Sequence, residues 1–326
     1  MSRIFSGIQP SGELHIGNYL GAVKNWAKLQ HEHETIICIV DYHAITIPYE
    51  PAQLRTRRRD MALSLLAAGI DPNVATLFEQ SQVPQHTELA WVLNTITPLG
   101  ELERQTQFKE KSQRQESINA GLLNYPVLQA ADILLYRANL VPVGEDQVQH
   151  LELSRVVARR WNATYAADND FFPEPQPALT PARRIMGLDG QAKMSKSLNN
   201  TIGLLEPPEE VWKKLRPAIT DPKRIKRTDP GTPEVCNIYH LHKALSAPDT
   251  VEHVAKQCST AGWGCIDCKR VLFESMEREL IPIRRRAEEL RRDPAHVEAA
   301  LADGAAQCRK LAGETMRGVR ERMGFD

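Results

Sequence analysis

Short apolar runs alternate with longer amphipathic segments over the first two thirds of the chain. The run Thr35–Val40 (TIICIV) is almost wholly apolar and rich in β-branched residues, as expected for a strand buried on both faces. The segments between such runs repeat apolar residues with a helical period, as in Asn18–Gln30 and Leu54–Ala68. The other runs with the length of strands are Arg3–Gly7, Ala75–Glu79, Leu140–Val143 and Ile185–Leu188. This alternation predicts an α/β fold with a doubly wound, parallel, Rossmann-type sheet that binds ligands at the carboxyl ends of its strands.

Two regions depart from the alternation. About residues 84–138 form a largely helical insert, which Pro126 interrupts in its second half, and the apolar run Leu122–Leu135 within it is either core or a subunit contact. After Glu206 the strand pattern stops, and a long charged helix is predicted over Lys269–Arg292. We therefore expect a catalytic domain over 1–205, which carries the insert, and an all-helical second domain over 206–326.

Composition excludes some classes of protein but does not indicate a function. Of the 326 residues, 42% are hydrophobic and 25% are charged, which is ordinary for a globular protein. No apolar run is long enough to span a bilayer and the start lacks the apolar centre of a secretory signal, so we expect a cytoplasmic protein without membrane contact. The 41 basic residues balance the 41 acidic ones, and the basic clusters 223–227 and 284–286 are most simply solvated faces.

The turn after the first strand has the features of half a nucleotide site. Glycines in Gly7–Gly12 (GIQPSG) let the backbone pass close to a ligand, and His15 and Asn18 share one face of the following helical turn. Gly17 between them leaves room for an adenine ring against the backbone, and the helix start suits phosphate. The loop is not a P-loop, because GxxxxGK[ST] is absent.

A lysine-rich loop at Lys193–Ser197 (KMSKS) supplies the second half. Two lysines that close over ATP stabilise charge on the phosphate oxygens and on the leaving pyrophosphate while a carboxylate attacks the α-phosphorus. The loop serines Ser195 and Ser197 are suited to hydrogen bonds with phosphate. The alternative is a flexible, solvated loop, which the presence of the first half-site disfavours.

Taken together, these segments resemble the tryptophanyl-tRNA synthetases, a family of class I aminoacyl-tRNA synthetases. The resemblance covers essentially the whole chain, through FSGIQPSGELHIGN, VDYHAIT, FKEKS, NYPVLQAADILLY, VPVGEDQ and RIMGLDGQAKMSKS, in the family's order. Asn18 stands where most class I relatives have His and is usual in this family. Gln129 departs from the Met that relatives often have, which alters the expected shape and polarity of the pocket.

The resemblance implies an enzyme that activates L-tryptophan with ATP and Mg²⁺ and transfers it to the 3′ end of tRNA(Trp). It also implies a homodimer with the insert at its interface and an anticodon-binding role for the second domain. The implied catalytic residues are His15, Asn18, Lys111, Lys193 and Lys196. The implied ATP contacts are Gln9, Pro10, Ser11, Gly17, Asn18, Gly144, Glu145, Asp146, Ile185, Lys193, Met194, Ser195, Lys196 and Ser197.

A slot for the indole ring is implied as well. Asp132 lies in an otherwise apolar stretch, where a carboxylate is costly without a partner; it is interpreted as the acceptor for the indole N–H, or alternatively as a paired or surface acid. Such an acceptor rejects phenylalanine, which leaves it unpaired. The other implied slot residues are Phe5, Gly7, His43, Leu128, Gln129, Ile133, Val141 and Val143, with Tyr125 and Gln147 at the α-ammonium. A tyrosine-specific relative and a non-charging, RNA-binding paralogue remain as alternatives.

Four of the six cysteines form a possible metal motif, Cys236-x₂₁-Cys258-x₆-Cys265-x₂-Cys268, while Cys38 and Cys308 are interpreted as small apolar residues. The single close pair and uneven gaps favour a [4Fe–4S] cluster over Zn²⁺, and free thiols are the third possibility. Some bacterial members of the family carry such a cluster on similar spacing, and the first gap here is one residue shorter. Its implied role is structural, beside basic residues such as Lys269 and Arg270 that would contact RNA.

Overall fold

A computed structural model describes residues 2–106, 108–109, 119–144, 148–179 and 185–326. In this part of the chain, five strands form one sheet in the order β3-β2-β1-β4-β5, and every neighbouring pair is parallel. The strands are β1 (Arg3–Ile8), β2 (Glu34–Ile39), β3 (Thr76–Glu79), β4 (Leu140–Val143) and β5 (Gln176–Leu179). The predicted α/β fold is therefore confirmed, and the strand order changes direction between β1 and β4.

Helices flank the sheet and also make up the region after it. Those before residue 205 are α1 (Ile16–Asn18), α2 (Lys24–Leu29), α3 (Asp41–Ala44), α4 (Pro51–Ala67), α5 (Gln85–Asn94), α6 (Leu99–Glu103), α7 (Ala120–Leu134) and α8 (Val148–Tyr165). Those after it are α9 (Pro208–Leu215), α10 (Asn237–Leu245), α11 (Pro248–Ser259), α12 (Cys265–Arg292) and α13 (Pro294–Met323). The helical C-terminal region is confirmed, whereas the division at residue 205 stays a prediction.

Two sequence predictions were wrong in detail. The fifth strand is Gln176–Leu179 rather than Ile185–Leu188, because the latter forms a small hairpin in which Met186 bridges Lys193. Pro177 weakens the strand signal of β5, yet a proline is tolerated in a strand at the edge of a sheet. Pro126 lies inside α7 without ending it, since that helix is held by packing along its buried face.

Alternate residues of the strands feed two separate hydrophobic cores. Ile37 and Leu77 belong to the core that contains α4, α9 and α12, while Cys38 and Phe78 belong to the core that contains α5, α7 and α8. The apolar run Leu122–Leu135 lies mainly in the second core. Because side chains alternate along a strand, the two cores lie on opposite faces of the sheet. None of the helices in the described ranges is long and apolar enough to cross a membrane.

Helix α13 runs past the edge strand β3 and contributes to both cores. Its Val297 packs in the core of α4, and its Cys308 packs in the core of α5 and α7. Between these residues Gly304 approaches the backbone of β3 so closely that a Cβ at this position would lie 2.0 Å from the Leu77 carbonyl oxygen. The missing side chain is what allows the helix to cover this edge of the sheet.

We expect Gly304→Ala to lower the free energy of unfolding by about 1–3 kcal/mol, because the added methyl group forces α13 away from β3. Gly313→Ala in the same helix is the matched control, since a Cβ there meets no atom within 4 Å. That control should gain about 0.5–1 kcal/mol from helix propensity. Equilibrium unfolding in urea measures both changes, and equal effects of the two variants would contradict this account of the helix–strand contact.

Candidate active site

The carboxyl ends of β1, β2, β3 and β4 open toward one crevice, at the point where the strand order reverses. The turn after β1 leads into α1, whose first turn is closed by a reciprocal cap. The His15 Nδ1 accepts from the Asn18 backbone N–H, and the Asn18 side-chain oxygen accepts from the His15 N–H, both at 3.3 Å. His15 and Asn18, two of the residues implied as catalytic, therefore hold the same helix start in place.

This cap also determines which ring nitrogen of His15 is available to a ligand. Burial, together with the positive charges of Lys196 and Lys193, lowers the pKa of His15 to about 4. The imidazole is consequently neutral at pH 7. Because Nδ1 accepts a hydrogen bond from the backbone, the proton lies on Nε2, which is left as a donor for a phosphate oxygen.

The lysine loop begins as a hairpin in which Met194 N–H donates to the Ile185 carbonyl at 3.0 Å. Met194 and Ile185 are buried, Lys193 is exposed, and Ser195 and Lys196 are half-buried. Residues 196–198 form a 3₁₀ turn. The hairpin thus anchors the middle of the signature in the core and leaves its two cations at the surface of the crevice.

Glycines allow the two half-sites to touch. A Cβ at Gly17 would lie 3.1 Å from the Met194 Cβ and 3.0 Å from the His15 ring, and Gly12 lies against Lys196. Gly12 has φ +126°, a conformation that favours glycine. The turn after β1 and the lysine loop are thus in contact at Gly17 and Gly12.

The charge of Lys196 is affected by its surroundings. Burial, opposed by the nearby Glu13 carboxylate and assisted by Arg57, lowers the pKa of its ammonium group to about 8. A phosphate group brought next to this ammonium would raise the pKa again, because the negative charge favours the protonated form.

Asp132 is fully buried at the other end of the crevice, and it is paired rather than exposed. Its Oδ1 accepts from Gln80 Nε2 at 2.6 Å and from His86 Nδ1 at 2.7 Å, while its Oδ2 accepts from His43 Nε2 at 2.8 Å. Burial alone would raise the pKa of Asp132, but the hydrogen bonds from His43 and His86 outweigh it and lower the pKa to about 2. The carboxylate is therefore ionised, and Oδ2, with one protein donor, retains capacity to accept another.

Sequence reasoning missed Gln80, His86 and Tyr136. The Tyr136 hydroxyl lies 2.7 Å from His86 Nε2, and burial raises the pKa of Tyr136, so the phenol keeps the proton with which it fixes the His86 ring. Two signals were available: Gln80 directly follows β3, and Tyr136 stands four residues after Asp132. His86 carried no signal beyond its place near the start of α5.

Two residues predicted for the tryptophan site, Phe5 and Tyr125, contact this network. Phe5 stacks on Tyr136 with ring centroids 5.6 Å apart, and Tyr125 meets the His43 ring edge-on at 6.2 Å. Gln129 and Leu128 are half-buried on α7. The remaining predicted residues on these elements are Gly7 at the end of β1, Ile133 on α7, and Val141, Val143 and Gly144 on and after β4. The predicted residues Lys111, Glu145, Asp146 and Gln147 lie outside the described residues.

Four thiols line a small cavity in the C-terminal region: Cys236, Cys258, Cys265 and Cys268. Burial, together with the proximity of the other three thiols, raises the pKa of Cys268 to about 12. Over the residues that the structure describes, no three Cys, His, Asp or Glu side chains are gathered closely enough to hold a single metal ion. Cys38 and Cys308 are buried in the core of α5 and α7, in agreement with their interpretation as apolar residues.

The predicted RNA contact of Lys269 was wrong. Lys269 is buried, and its ammonium donates to the carbonyls of Arg216 and Ala218 at 2.7 and 2.6 Å, where it closes the end of α9. Arg270 is exposed and lies over the Trp212 ring, 4.5 Å from its centre. In the first basic cluster, Arg224 is bound to backbone carbonyls, so its charge serves the loop itself.

Comparison with known proteins agrees with this geometry. Residues 1–280 match the sequence model of a family described as tRNA synthetases class I (W and Y). The chain is 50% identical to a tryptophan–tRNA ligase of Deinococcus radiodurans, over 100% of this chain and 99% of that protein, and 46% identical to one of Parasynechococcus marenigrum, over 99% and 98%.

A solved structure gives the same relationship in three dimensions. The tryptophanyl-tRNA synthetase of Campylobacter jejuni, crystallised with ADP and tryptophan, superposes with a TM-score of 0.89 at 35% identity over 99% of both chains. The family model covers far more than half of the chain, and the relatives are matched along their full length. The chain therefore belongs to the class I tRNA synthetases of the tryptophan and tyrosine family.

Proposed function

We propose that this protein is a tryptophan–tRNA ligase of class I, which forms tryptophanyl-adenylate and pyrophosphate from L-tryptophan and ATP and then charges tRNA(Trp) at its 3′ end. The observation that carries the proposal is the full-length similarity, at 50% identity, to the ligase of Deinococcus radiodurans. The contact between the two nucleotide half-sites supports it, because an adenylating enzyme needs both around one triphosphate.

The chemistry follows from the charges at the crevice. The tryptophan carboxylate attacks the α-phosphorus of MgATP, the bond to the bridging oxygen breaks, and pyrophosphate leaves with the negative charge. No protein nucleophile is required, so the protein acts by alignment and by stabilising charge. In this proposal Lys193 and Lys196 neutralise the leaving group, and His15 Nε2–H donates to a phosphate oxygen. Asn18 contributes by holding the His15 ring through the reciprocal cap.

The proposal assigns the choice of amino acid to Asp132. Its ionised, buried carboxylate accepts the indole N–H on Oδ2, and the three protein donors hold it in place without filling that position. Phenylalanine has no donor for this acceptor, so binding it leaves a buried charge unpaired. Tyr125 and Gln147 are proposed to bind the α-ammonium group.

A homodimer joined through the insert is part of the same proposal. Trp91 on α5 has 72% of its surface exposed and Leu99 on α6 has 58%, which is unusual for large apolar side chains and typical of interface residues. The helical region after residue 205 is proposed to bind the anticodon, and the cytoplasm is the proposed location. Sedimentation of the full chain measures the oligomeric state, and a monomer at every concentration contradicts the dimer.

We further infer that the thiol-lined cavity is the place of a [4Fe–4S] cluster. All four thiols line one cavity, and Cys236, Cys258 and Cys268 are buried. Zn²⁺ requires sulfur atoms at about 2.3 Å from one centre, whereas each thiolate on a cubane binds its own iron, so the four sulfurs stand further apart. Among the described residues no three such side chains are gathered closely enough to hold one ion, and this observation favours the cluster over zinc in the proposal. Such a group would supply cross-links between α11, α12 and the start of α10.

The function is tested by pyrophosphate exchange and tRNA charging. The full chain should exchange pyrophosphate into ATP when tryptophan is present, with no comparable activity for tyrosine or phenylalanine, and it should charge tRNA(Trp). Exchange with tyrosine instead indicates the tyrosine-specific relative, and exchange without charging indicates a non-charging paralogue. Either result contradicts the proposal.

Asp132→Asn should lower kcat/KM for tryptophan in that assay by about 10- to 150-fold, mainly through KM, because a charge-assisted hydrogen bond is lost. The matched control is Glu277→Gln, which neutralises another buried acid whose partner is Arg284 in α12. It should leave the tryptophan kinetics unchanged. Unaltered kinetics in Asp132→Asn, in protein with a normal thermal transition, would remove Asp132 from the indole site.

The pH dependence should reveal the charge of Lys196. Its ammonium is protonated below a pKa of about 8 and loses its charge above it, so kcat/KM for ATP should fall as the pH rises through 8, approaching tenfold per unit. Lys196→Arg should abolish this fall, because a guanidinium stays charged, whereas Lys193→Arg should retain it. A fall near pH 8 that persists in Lys196→Arg would assign the ionisation to another group.

Protein purified without oxygen should contain about four iron and four sulfide per chain and absorb visible light by charge transfer. Cys258→Ser should lose the iron and the absorbance, while Cys308→Ser, which alters a buried cysteine outside the cavity, should keep both. Zinc at one ion per chain without colour establishes the zinc alternative, and the absence of any metal leaves free thiols.

A further inference from the structure

The lysine loop is attached to the C-terminal region through a small number of hydrogen bonds at its base. Asn237 Nδ2 donates to the Gly187 carbonyl at 2.8 Å, in a fully buried bond, and the Ile219 N–H donates to the Leu188 carbonyl at 3.0 Å. Gly187 and Leu188 form the turn that precedes Lys193 by a few residues. Two separate points of the helical region therefore hold this turn from the same side.

Both attachment points adjoin the wall of the cysteine cavity. Asn237 directly follows Cys236, and Ile219 directly precedes Thr220 and Asp221, and these three neighbours all line the cavity. Asn237 is also the first residue of α10, for which Cys236 is the capping position. The groups that hold the loop are therefore joined directly to residues of the cavity wall.

The turn is shaped to fit Asn237. Gly190 has φ +62° and faces it, so that a Cβ at Gly190 would lie 3.3 Å from the Asn237 Cβ. Gly187 is similarly covered by Asn200, whose amide is within 2.1 Å of where a Cβ would be. Side chains at either glycine would push the turn off its support.

Asn200 connects this turn to the lysine loop through hydrogen bonds. The buried Asn200 side chain accepts from the Ser195 N–H at 2.8 Å and donates to the Asp189 carboxylate at 3.0 Å. Its own carbonyl accepts from the Leu188 N–H at 3.0 Å. The lysine loop is thus hydrogen-bonded, through Asn200, to the turn that Asn237 contacts.

We propose that Asn237 is a positioning residue for ATP activation, which docks the base of the lysine loop onto the wall of the cysteine cavity and so couples that cavity to nucleotide binding. The proposal rests on the proposed function for the identity of the loop's ligand. The coupling is reciprocal: whatever rigidifies the cavity favours the loop position that binds ATP, and ATP bound under the loop rigidifies the cavity wall.

Two measurements on the full chain test this docking. Asn237→Ala should raise the Kd for ATP, measured by equilibrium dialysis without tryptophan, about five- to tenfold, because the binding-competent loop position is less populated. Amide hydrogen exchange over residues 187–198 should become faster in the same variant. In the wild type, ATP should slow exchange both in the loop and over residues 219–238, and in the variant it should slow exchange in the loop only.

Asn237→Asp serves as the second variant, because it keeps the shape, places an acid in the first turn of α10 where one is tolerated, and replaces the amide donor with a carboxylate that repels the Gly187 carbonyl. The matched control is Asn162→Ala, which removes another buried asparagine whose side chain bonds both backbone groups of Phe172, away from the loop. The control should lower stability without changing ATP affinity or loop exchange. Metal content is measured in each protein, so that an effect of lost metal is separated from lost docking.

The outcomes are distinct. ATP affinity and loop exchange that stay at wild-type values in both Asn237 variants overturn the docking role. A wild type in which ATP leaves residues 219–238 unaffected overturns the coupling. If the protein shows no tryptophan-dependent exchange yet ATP slows amide exchange as described, the proposed amino-acid specificity fails and the inference about Asn237 stands.

Discussion

The burial of one ionised carboxylate constrains the centre of this molecule. A charge removed from water is stable only when donors surround it, and Asp132 receives them from three different places in the fold: α3, the segment after β3, and α5. Each donor fixes the element that carries it relative to α7. The ends of two strands and two helices are therefore held in register by a single acid, and the removal of that charge would loosen all of them.

The nucleotide side of the crevice is held together by close backbone contacts rather than by a buried charge. It consists of a capped helix start and a hairpin whose contact depends on Gly17 and Gly12, without a salt bridge or a metal among the described residues to join them. Contacts of this kind are easily separated and re-formed. A rigid network beside a wall held by such contacts would suit the proposed reaction, in which a small acid is selected and a large polyphosphate is enclosed and then released.

How much was predictable depended on whether a feature is local. The four strands β1 to β4, the helix start at His15 and the lysine loop each carry their own pattern, and the structure has them where the sequence put them. Strand β5 was missed because Pro177 breaks the strand pattern. Lys269 was misassigned because its charge alone does not reveal that two backbone carbonyls accept hydrogen bonds from it. The partners of Asp132 come from segments 40 to 90 residues away in the sequence, and no local spacing pattern predicts such contacts. Pairing over such distances is decided by the packing of the sheet and its helices.

The position of helix α13 has a consequence for how the chain is made. The strand it covers is complete by residue 79, but the helix that covers its outer edge begins only at Pro294. During synthesis β3 therefore emerges from the ribosome more than 200 residues before the helix that covers its edge, and until α13 is made the uncovered edge and its apolar flanks stay open to unwanted strand pairing. A chain cut before Pro294 would keep this strand edge exposed, which makes it a target for chaperones and proteases.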